Sequence, residues 1–170
     1  MSEQRKIGEH TVIYDGIFNV NEIFQILKEW IKEYDYKPSE QVHSEKVDEN
    51  GKQILYKMNP WKKINDYIQY DLYVKFVFTD IKDVYVDIDG KKRKMNKGNV
   101  LFYNYIALTS DYESSRESSP LMVFFRSLYD RIIAANQMSK WAATEIREST
   151  ELKKRIEAYF NLDKFKGNEV

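Results

Sequence analysis

A short run of positive charge is the strongest local chemical signal in this chain of 170 residues. Five cations lie within seven residues, with no acidic residue among them: Lys91, Lys92, Arg93, Lys94 and Lys97. Such a cluster can contact the phosphates of a nucleic acid even when the protein carries no net charge. The same charges would also suit a hairpin arm, where they keep an edge soluble or pair with Asp87 and Asp89 across the turn. The segment therefore predicts either a phosphate-contacting finger or a solvated arm.

A second signal is a set of tyrosines that alternate with apolar residues along predicted strands. If helices cover one face of the sheet, the other face carries Tyr67, Tyr73, Tyr85, Tyr103 and Tyr105, with Val77 and Leu101. Amphipathic, tyrosine-rich surfaces are typical of interfaces between subunits. Sheet aromatics also stack bases of single-stranded RNA, although no RNP signature is present here. A third interpretation is the inside of a curled sheet around a ligand.

Residue types for catalysis or metal binding are sparse. The chain has no cysteine and only two histidines, His10 and His43, which lack the close spacing of metal ligands. The pairs Gly51-Lys52 and Gly90-Lys91 read as turns, because neither has the spacing of a phosphate-binding loop. No GxSxG sequence or serine–lysine dyad stands out. We therefore predict that the protein is not an enzyme and has no cofactor and no metal site.

Composition indicates one folded domain over residues 1–170. Hydrophobic residues make up 42% and charged residues 32%, which argues against disorder. Lys plus Arg and Asp plus Glu both number 27, so no global field attracts nucleic acid or anionic lipid. The polar start lacks the apolar core of a signal peptide, and no apolar run is long enough for a membrane span. We expect a cytoplasmic protein whose residues 1–10 and 163–170 are loose.

The element that must organise the rest is a long strand over Asp66–Thr79. With a period of two, one face is wholly apolar and carries Ile68, Tyr70, Leu72, Val74, Phe76 and Phe78. The alternation, the β-branched and aromatic residues, and the absence of Gly and Pro all favour a strand. Something large must cover that apolar face.

Helices on either side of the strands can supply the cover. The pattern predicts a short strand over Thr11–Tyr14 and a helix that Asn19 or Asn21 caps and that runs to Tyr34. It then predicts a hairpin of residues 40–48 and 52–59 around Asn50-Gly51, strands over 83–89 and 99–111, and a helical region over 119–162. In that last region Trp141, Ile146, Leu152, Ile156, Tyr159 and Phe160 are predicted to be buried and Glu148 to be solvated. Whether it forms one helix or two stays open. The fold class is therefore α+β, with an antiparallel meander packed on one face by an N-terminal helix and a long C-terminal helical region, similar in order to the helix-grip arrangement.

With these residues in view, the chain resembles a set of small uncharacterised archaeal proteins. The shared framework is Tyr14-Asp15-Gly16, Phe18, Trp30, Tyr36, Asp89-Gly90-Lys91-Lys92, Met95-Asn96-Lys97-Gly98, Asp111-Tyr112-Glu113 and Tyr129-Asp130. The resemblance implies a cytosolic protein and no established activity, cofactor or site.

These patterns together predict a non-enzymatic binding or assembly protein. The expected assembly is a homo-oligomer formed through the tyrosine-rich sheet face or the last helix, because the predicted helices cover only one face. Two alternatives remain. One is a ribosome- or RNA-associated factor that uses residues 91–97, and the other is a helix-grip carrier that holds an apolar ligand between sheet and helices.

Overall fold

The computed structural model describes residues 3–39, 41–65, 68–110 and 134–161. The described elements are β1 (Glu3–Phe18), α1 (Val20–Glu33), β2 (Gln41–Asp48), β3 (Gly51–Met58), β4 (Trp61–Lys63), β5 (Ile68–Ile88), β6 (Lys91–Ser110) and α2 (Ala134–Phe160). Neither described helix combines the length and the apolar composition that crossing a membrane requires. The predicted α+β class is confirmed.

The strands form one antiparallel sheet in the order β1-β6-β5-β3-β2, and the short β4 pairs with the start of β5. Strands β5 and β6 are joined by Asp89-Gly90, both at positive φ, which is the backbone that a tight two-residue hairpin needs. The predicted hairpin around Asn50-Gly51 is confirmed as β2 and β3. The first strand does not start a meander, since β1 pairs with β6, the last strand.

The long strand buries the predicted face. Even-numbered residues from Ile68 to Phe78 are buried, and the odd-numbered residues between them are half-buried. Helix α1 begins after Asn19, whose side chain accepts hydrogen bonds from the N–H groups of Asn21 and Glu22. Its residues Ile23, Leu27, Trp30 and Ile31 are buried in the same core. The C-terminal half of α2 joins this core through Leu152, Ile156, Tyr159 and Phe160.

The prediction of a loose start at residues 1–10 is wrong for residues 3–10. They form the first half of β1, which pairs with the end of β6 as far as Glu3 opposite Ser110. Their polar sequence carries no strand signal of its own, and the partner strand that orders them lies about a hundred residues away along the chain.

The predicted strand over 83–89 is not separate but continues β5 through a β-bulge. Asp80 and Ile81 together oppose one residue of β6, Gly98, and Asp80 has a φ of 56°. The extra residue shifts the register, so Tyr85 pairs with Lys94 whereas Tyr73 pairs with Tyr105. Beyond the bulge Val86 and Ile88 are buried in the core, and Tyr85 between them is 48% exposed. Tyr85 therefore lies on the β5–β6 hairpin, apart from Tyr73, and its predicted place on the same face stays a prediction.

Three predictions fall wholly or partly outside the described residues. These are the placement of Tyr67, residues 119–133 of the predicted C-terminal helical region, and the loose end predicted for residues 163–170. The choice between one helix and two over 119–162 therefore stays open.

Candidate functional site

Three of the predicted tyrosines come together on the sheet face that points away from both described helices. Tyr73 and Tyr105 are register partners, and their rings stack with centroids 4.1 Å apart and planes 14° from parallel. The ring of Tyr103 lies 6.3 Å from that of Tyr105. Burial raises the pKa of Tyr105 to about 12, and the adjacent Tyr73 adds to the shift. The three half-buried side chains form one aromatic cluster.

The first half of β1 holds these rings in place. Gln4 Nε2 donates a hydrogen bond of 2.9 Å to the Tyr73 hydroxyl, and the Tyr103 hydroxyl donates one of 2.8 Å to Glu9 Oε2. Lys6 pairs with Glu9, and its Nζ lies 5.3 Å from the centre of the Tyr105 ring. Residues that the sequence pattern predicted to be loose therefore orient all three tyrosines.

An apolar row crosses the same face next to the rings. The register sets Ile13 of β1 opposite Leu101, Leu101 opposite Val77, and Val77 opposite Leu55 of β3. Ile13, on the edge strand, is 77% exposed. We call the combined area the tyrosine surface, made of Tyr73, Tyr103 and Tyr105 with Ile13, Val77, Leu101 and Leu55.

The structure does not gather the five cations into one cluster. Neighbouring residues of a strand point to opposite faces, so Lys92 and Lys94 lie on one side of β6, and Lys91 and Arg93 on the other. Lys94 forms an ion pair of 2.8 Å with Asp83, while Lys92 opposes Asp87 in register and has its Nζ over the Tyr85 ring. Lys97 lies beyond them, opposite Lys82 at the bulge. This placement favours the hairpin-arm interpretation.

The inner face of α2 holds buried polar residues that the sequence prediction missed. Glu145, Glu148 and Ser149 are buried, whereas Ile146 is 39% exposed. The predictions of a solvated Glu148 and a buried Ile146 are therefore wrong. The signal was available in the spacing, because 145, 148 or 149, 152 and 156 follow one another at intervals of three or four residues. The prediction placed Ile146 inside because it is apolar and Glu148 outside because it is charged, and so it did not follow this spacing.

Glu148 and Lys62 form a largely buried ion pair between α2 and β4. Lys62 Nζ donates to both carboxylate oxygens, at 3.1 and 2.9 Å, and to the backbone carbonyl of Tyr34 at 3.0 Å. The rings of Tyr36 and Tyr70 lie 4.6 and 5.5 Å from the same Nζ. The Tyr36 hydroxyl also donates to Glu148 Oε2, and burial raises the pKa of Tyr36. The ammonium and the carboxylate are thus both fully coordinated.

Glu145 is different, because neither of its carboxyl oxygens receives a hydrogen bond from the described part of the chain. Burial raises the pKa of Glu145 to about 9; the negative charges of Asp71 and Glu148 add to the rise, and Lys62 opposes it. The carboxyl is therefore neutral at neutral pH. Asn104 of β6 is fully buried nearby: its Nδ2 donates to Ser149 Oγ at 2.9 Å, but its Oδ1 has no partner in the described residues.

The histidines do not join either site. His10 is close to Thr150 on α2, with burial lowering its pKa, and His43 contacts Glu45 on the edge strand β2. Within residues 3–39, 41–65, 68–110 and 134–161, no group of three or more His, Asp or Glu side chains is placed to hold a metal ion.

In comparisons with known proteins, no model of a protein family matches the chain, and no curated protein matches it. The resemblance to archaeal proteins stays a prediction.

Proposed function

We propose that the protein is a non-enzymatic cytoplasmic binding protein that self-associates through the tyrosine surface. The observation that carries this proposal is the Tyr73–Tyr105 stack with Tyr103 beside it, held by β1 on the face that neither described helix covers. Rings fixed by hydrogen bonds lose little conformational entropy when a partner packs against them. Tyrosine is also among the residues enriched in interfaces.

A second copy of the chain is the partner that the surface fits best. In a two-fold dimer the same patch meets itself, so a patch of one charge would repel its copy. Here the charges on this face are of both signs: Lys6 forms an ion pair with Glu9 beside the rings, Lys75 lies opposite Tyr103, and Asp71 shares the face of Tyr73. The apolar row reaches the edge strand at Ile13, where a partner can bury it.

Sedimentation velocity at micromolar concentration tests the proposal. We expect the wild-type protein to sediment as an oligomer and the double variant Y73S/Y105S to shift towards the monomer. The matched control is Y85S, which removes an exposed tyrosine on the β5–β6 hairpin, opposite Lys94 and away from the Tyr73–Tyr105 stack, and should leave the oligomer intact. A wild-type protein that sediments as a clean monomer, or equal dissociation by both variants, would overturn the proposal.

RNA binding through the basic segment is the second candidate, and one observation favours it. Lys92 and Tyr85 sit together on an exposed part of the β5–β6 hairpin, and a ring beside a cation is a common way to hold a base and its phosphate. The division of the other cations between two faces weakens this candidate. If no RNA binding is measured at low salt, or if replacing all five cations with Gln leaves binding unchanged, RNA is not the partner.

A helix-grip carrier is the remaining candidate. It is supported by the position of α1 and α2, which share one core with the buried face of the sheet. Native mass spectrometry after mild purification would detect a retained apolar molecule, whereas a mass equal to that of the bare chain would exclude this function.

A further inference from the structure

The buried polar residues under α2 already include one complete binding site for an ammonium group. The Nζ of Lys62 is held by two carboxylate oxygens of Glu148 and one amide carbonyl oxygen, that of Tyr34. Three acceptors match the three N–H donors of an ammonium group. The faces of Tyr36 and Tyr70 complete the coordination by cation–π contact.

A second set of acceptors of the same composition lies further along the same helix face. Glu145 supplies two carboxyl oxygens, and Asn104 supplies one amide oxygen, all without a donor in the described residues. Asn104 meets α2 at Ser149, one helical turn beyond Glu145, so the three oxygens border the same part of the helix–sheet interface. Both side chains are fully buried.

A polar side chain without a partner destabilises a protein by about 1–3 kcal/mol, and a buried carboxyl is the more costly case. A leucine at position 145 would avoid that cost. A buried group with unmet hydrogen-bonding capacity therefore calls for an explanation, and one is a site that an ion or a ligand completes.

We propose that Glu145 and Asn104 bind the primary ammonium group of a small organic cation. The ligand donates its three N–H groups to Glu145 Oε1, Glu145 Oε2 and Asn104 Oδ1, as Lys62 does to its own three acceptors. The surrounding charges favour a cation. Lys62 is balanced by Glu148, and Asp71 of β5 adds a negative charge close enough to act on Glu145.

Binding is coupled to the loss of one proton. Glu145 is neutral before binding, and it gives its proton to solvent as the ammonium arrives, so that an ion pair replaces a neutral acid. Below the pKa of Glu145, which is about 9, affinity should therefore rise about tenfold for each unit by which the pH is raised. The charged and titratable groups that face this carboxyl are Asp71 on β5, Glu148 on α2, Lys62 on β4, and the tyrosines Tyr36 and Tyr70.

The ligand can reach the site because the first half of α2 is held only by partly buried apolar side chains, those of Met138, Trp141 and Ala142, and by polar contacts. These are the hydrogen bonds from Tyr70 to the Trp141 carbonyl and from Asn104 to Ser149, and the contacts of Glu148. The buried apolar side chains of the helix, from Leu152 to Phe160, lie in its second half. Opening of the first half therefore exposes less apolar surface than detachment of the whole helix.

The test uses methylammonium chloride as the probe, with NMR detection of the Asn104 side-chain amide. Methylammonium should bind saturably, and its affinity should increase about tenfold between about pH 7 and about pH 8. Tetramethylammonium chloride at the same concentration has no N–H donor and should produce no saturable shift. The variant E145Q keeps the size of the side chain but not its charge, so it should bind at least about tenfold more weakly and without the pH dependence.

E157Q is the matched control, because it removes a carboxylate from the same helix at a site that pairs with Lys153. It should bind methylammonium as the wild type does. Circular dichroism establishes that both variants are folded. The proposal is wrong if methylammonium and tetramethylammonium act alike, if E145Q binds as tightly as the wild type, or if no saturable shift occurs.

Discussion

Lys62 Nζ lies 2.9 Å from Glu148 Oε2, and this pair ties the three-residue strand β4 to the inner face of α2. Only 21% of the lysine side chain and 8% of the glutamate side chain are exposed. A buried pair of this kind contributes little net stability against an apolar pair of the same shape, but loss of one partner is costly. The pair therefore constrains the position of β4 relative to α2.

The variant K62M should lower the free energy of unfolding by about 3 kcal/mol, because it leaves Glu148 buried without its cation. Urea denaturation measures the change. The double variant K62M/E148Q should recover part of the loss, since no unpaired charge remains. K57M, at an exposed lysine on β3, is the control and should change little. Equal losses in K62M and K57M would show that the pair does not stabilise the fold.

Glu145 predicts an unusual dependence of stability on pH. Its pKa is about 9 in the folded protein and near 4.5 when exposed, so the folded state alone holds the proton between those values. Stability should therefore fall as pH rises from about 4.5 to about 9, and this contribution should level off above that. E145Q should be more stable than the wild type by about 2 kcal/mol near pH 8, with the difference vanishing near pH 4.

Chemical denaturation of the wild type, E145Q and E157Q across this pH range tests whether the free energy of unfolding falls as the pH rises. E157Q should follow the wild type. A stability of E145Q that is below that of the wild type near pH 8 would mean that Glu145 is charged and satisfied in the folded state.

The β-bulge predicts that Gly98 tolerates no larger residue. A Cβ at this position would lie 2.7 Å from the Thr79 carbonyl oxygen and 3.1 Å from that of Asp80, and backbone atoms cannot move aside cheaply. G98A should lose about 2–3 kcal/mol in urea denaturation. G8A is the comparison, because its nearest neighbour is the side-chain tip of Ile106 at 3.2 Å. If G8A costs as much as G98A, the bulge does not require a glycine.

Removing the N-cap residue of α1, Asn19, should destabilise the protein modestly, and a serine at the same position provides a chemical control. N19A removes the acceptor that the N–H groups of Asn21 and Glu22 use, and should cost about 1 kcal/mol in thermal or urea unfolding. N19S keeps a capping oxygen and should stay within a few tenths of a kcal/mol of the wild type. Similar losses in both variants would place the stabilising contact elsewhere on Asn19, such as its N–H bond to the Tyr159 hydroxyl.

Much of the tyrosine surface could be predicted, because it depends on a period of two. Alternation along two strands was enough to predict that Tyr73, Tyr103 and Tyr105 lie on one face. Their hydrogen bonds to Gln4 and Glu9 could not be predicted, since β1 pairs with a strand about a hundred residues away. The β-bulge at Asp80 and Ile81 could not be predicted either, since the patterns before and after it are those of two separate strands.

The sequence by itself determined α1, the β2–β3 hairpin, the α+β class and the apolar face of β5, because local periodicity and turn residues decide these. The tertiary structure decided which polar residues are buried. Glu145 and Glu148 lie inside because Leu152 and Ile156 orient the helix against the sheet, and the energy of burying those apolar residues outweighs the cost of burying the carboxyls. This balance of burial free energies depends on all the residues of the packed helix, so it cannot be predicted from any one residue of the sequence.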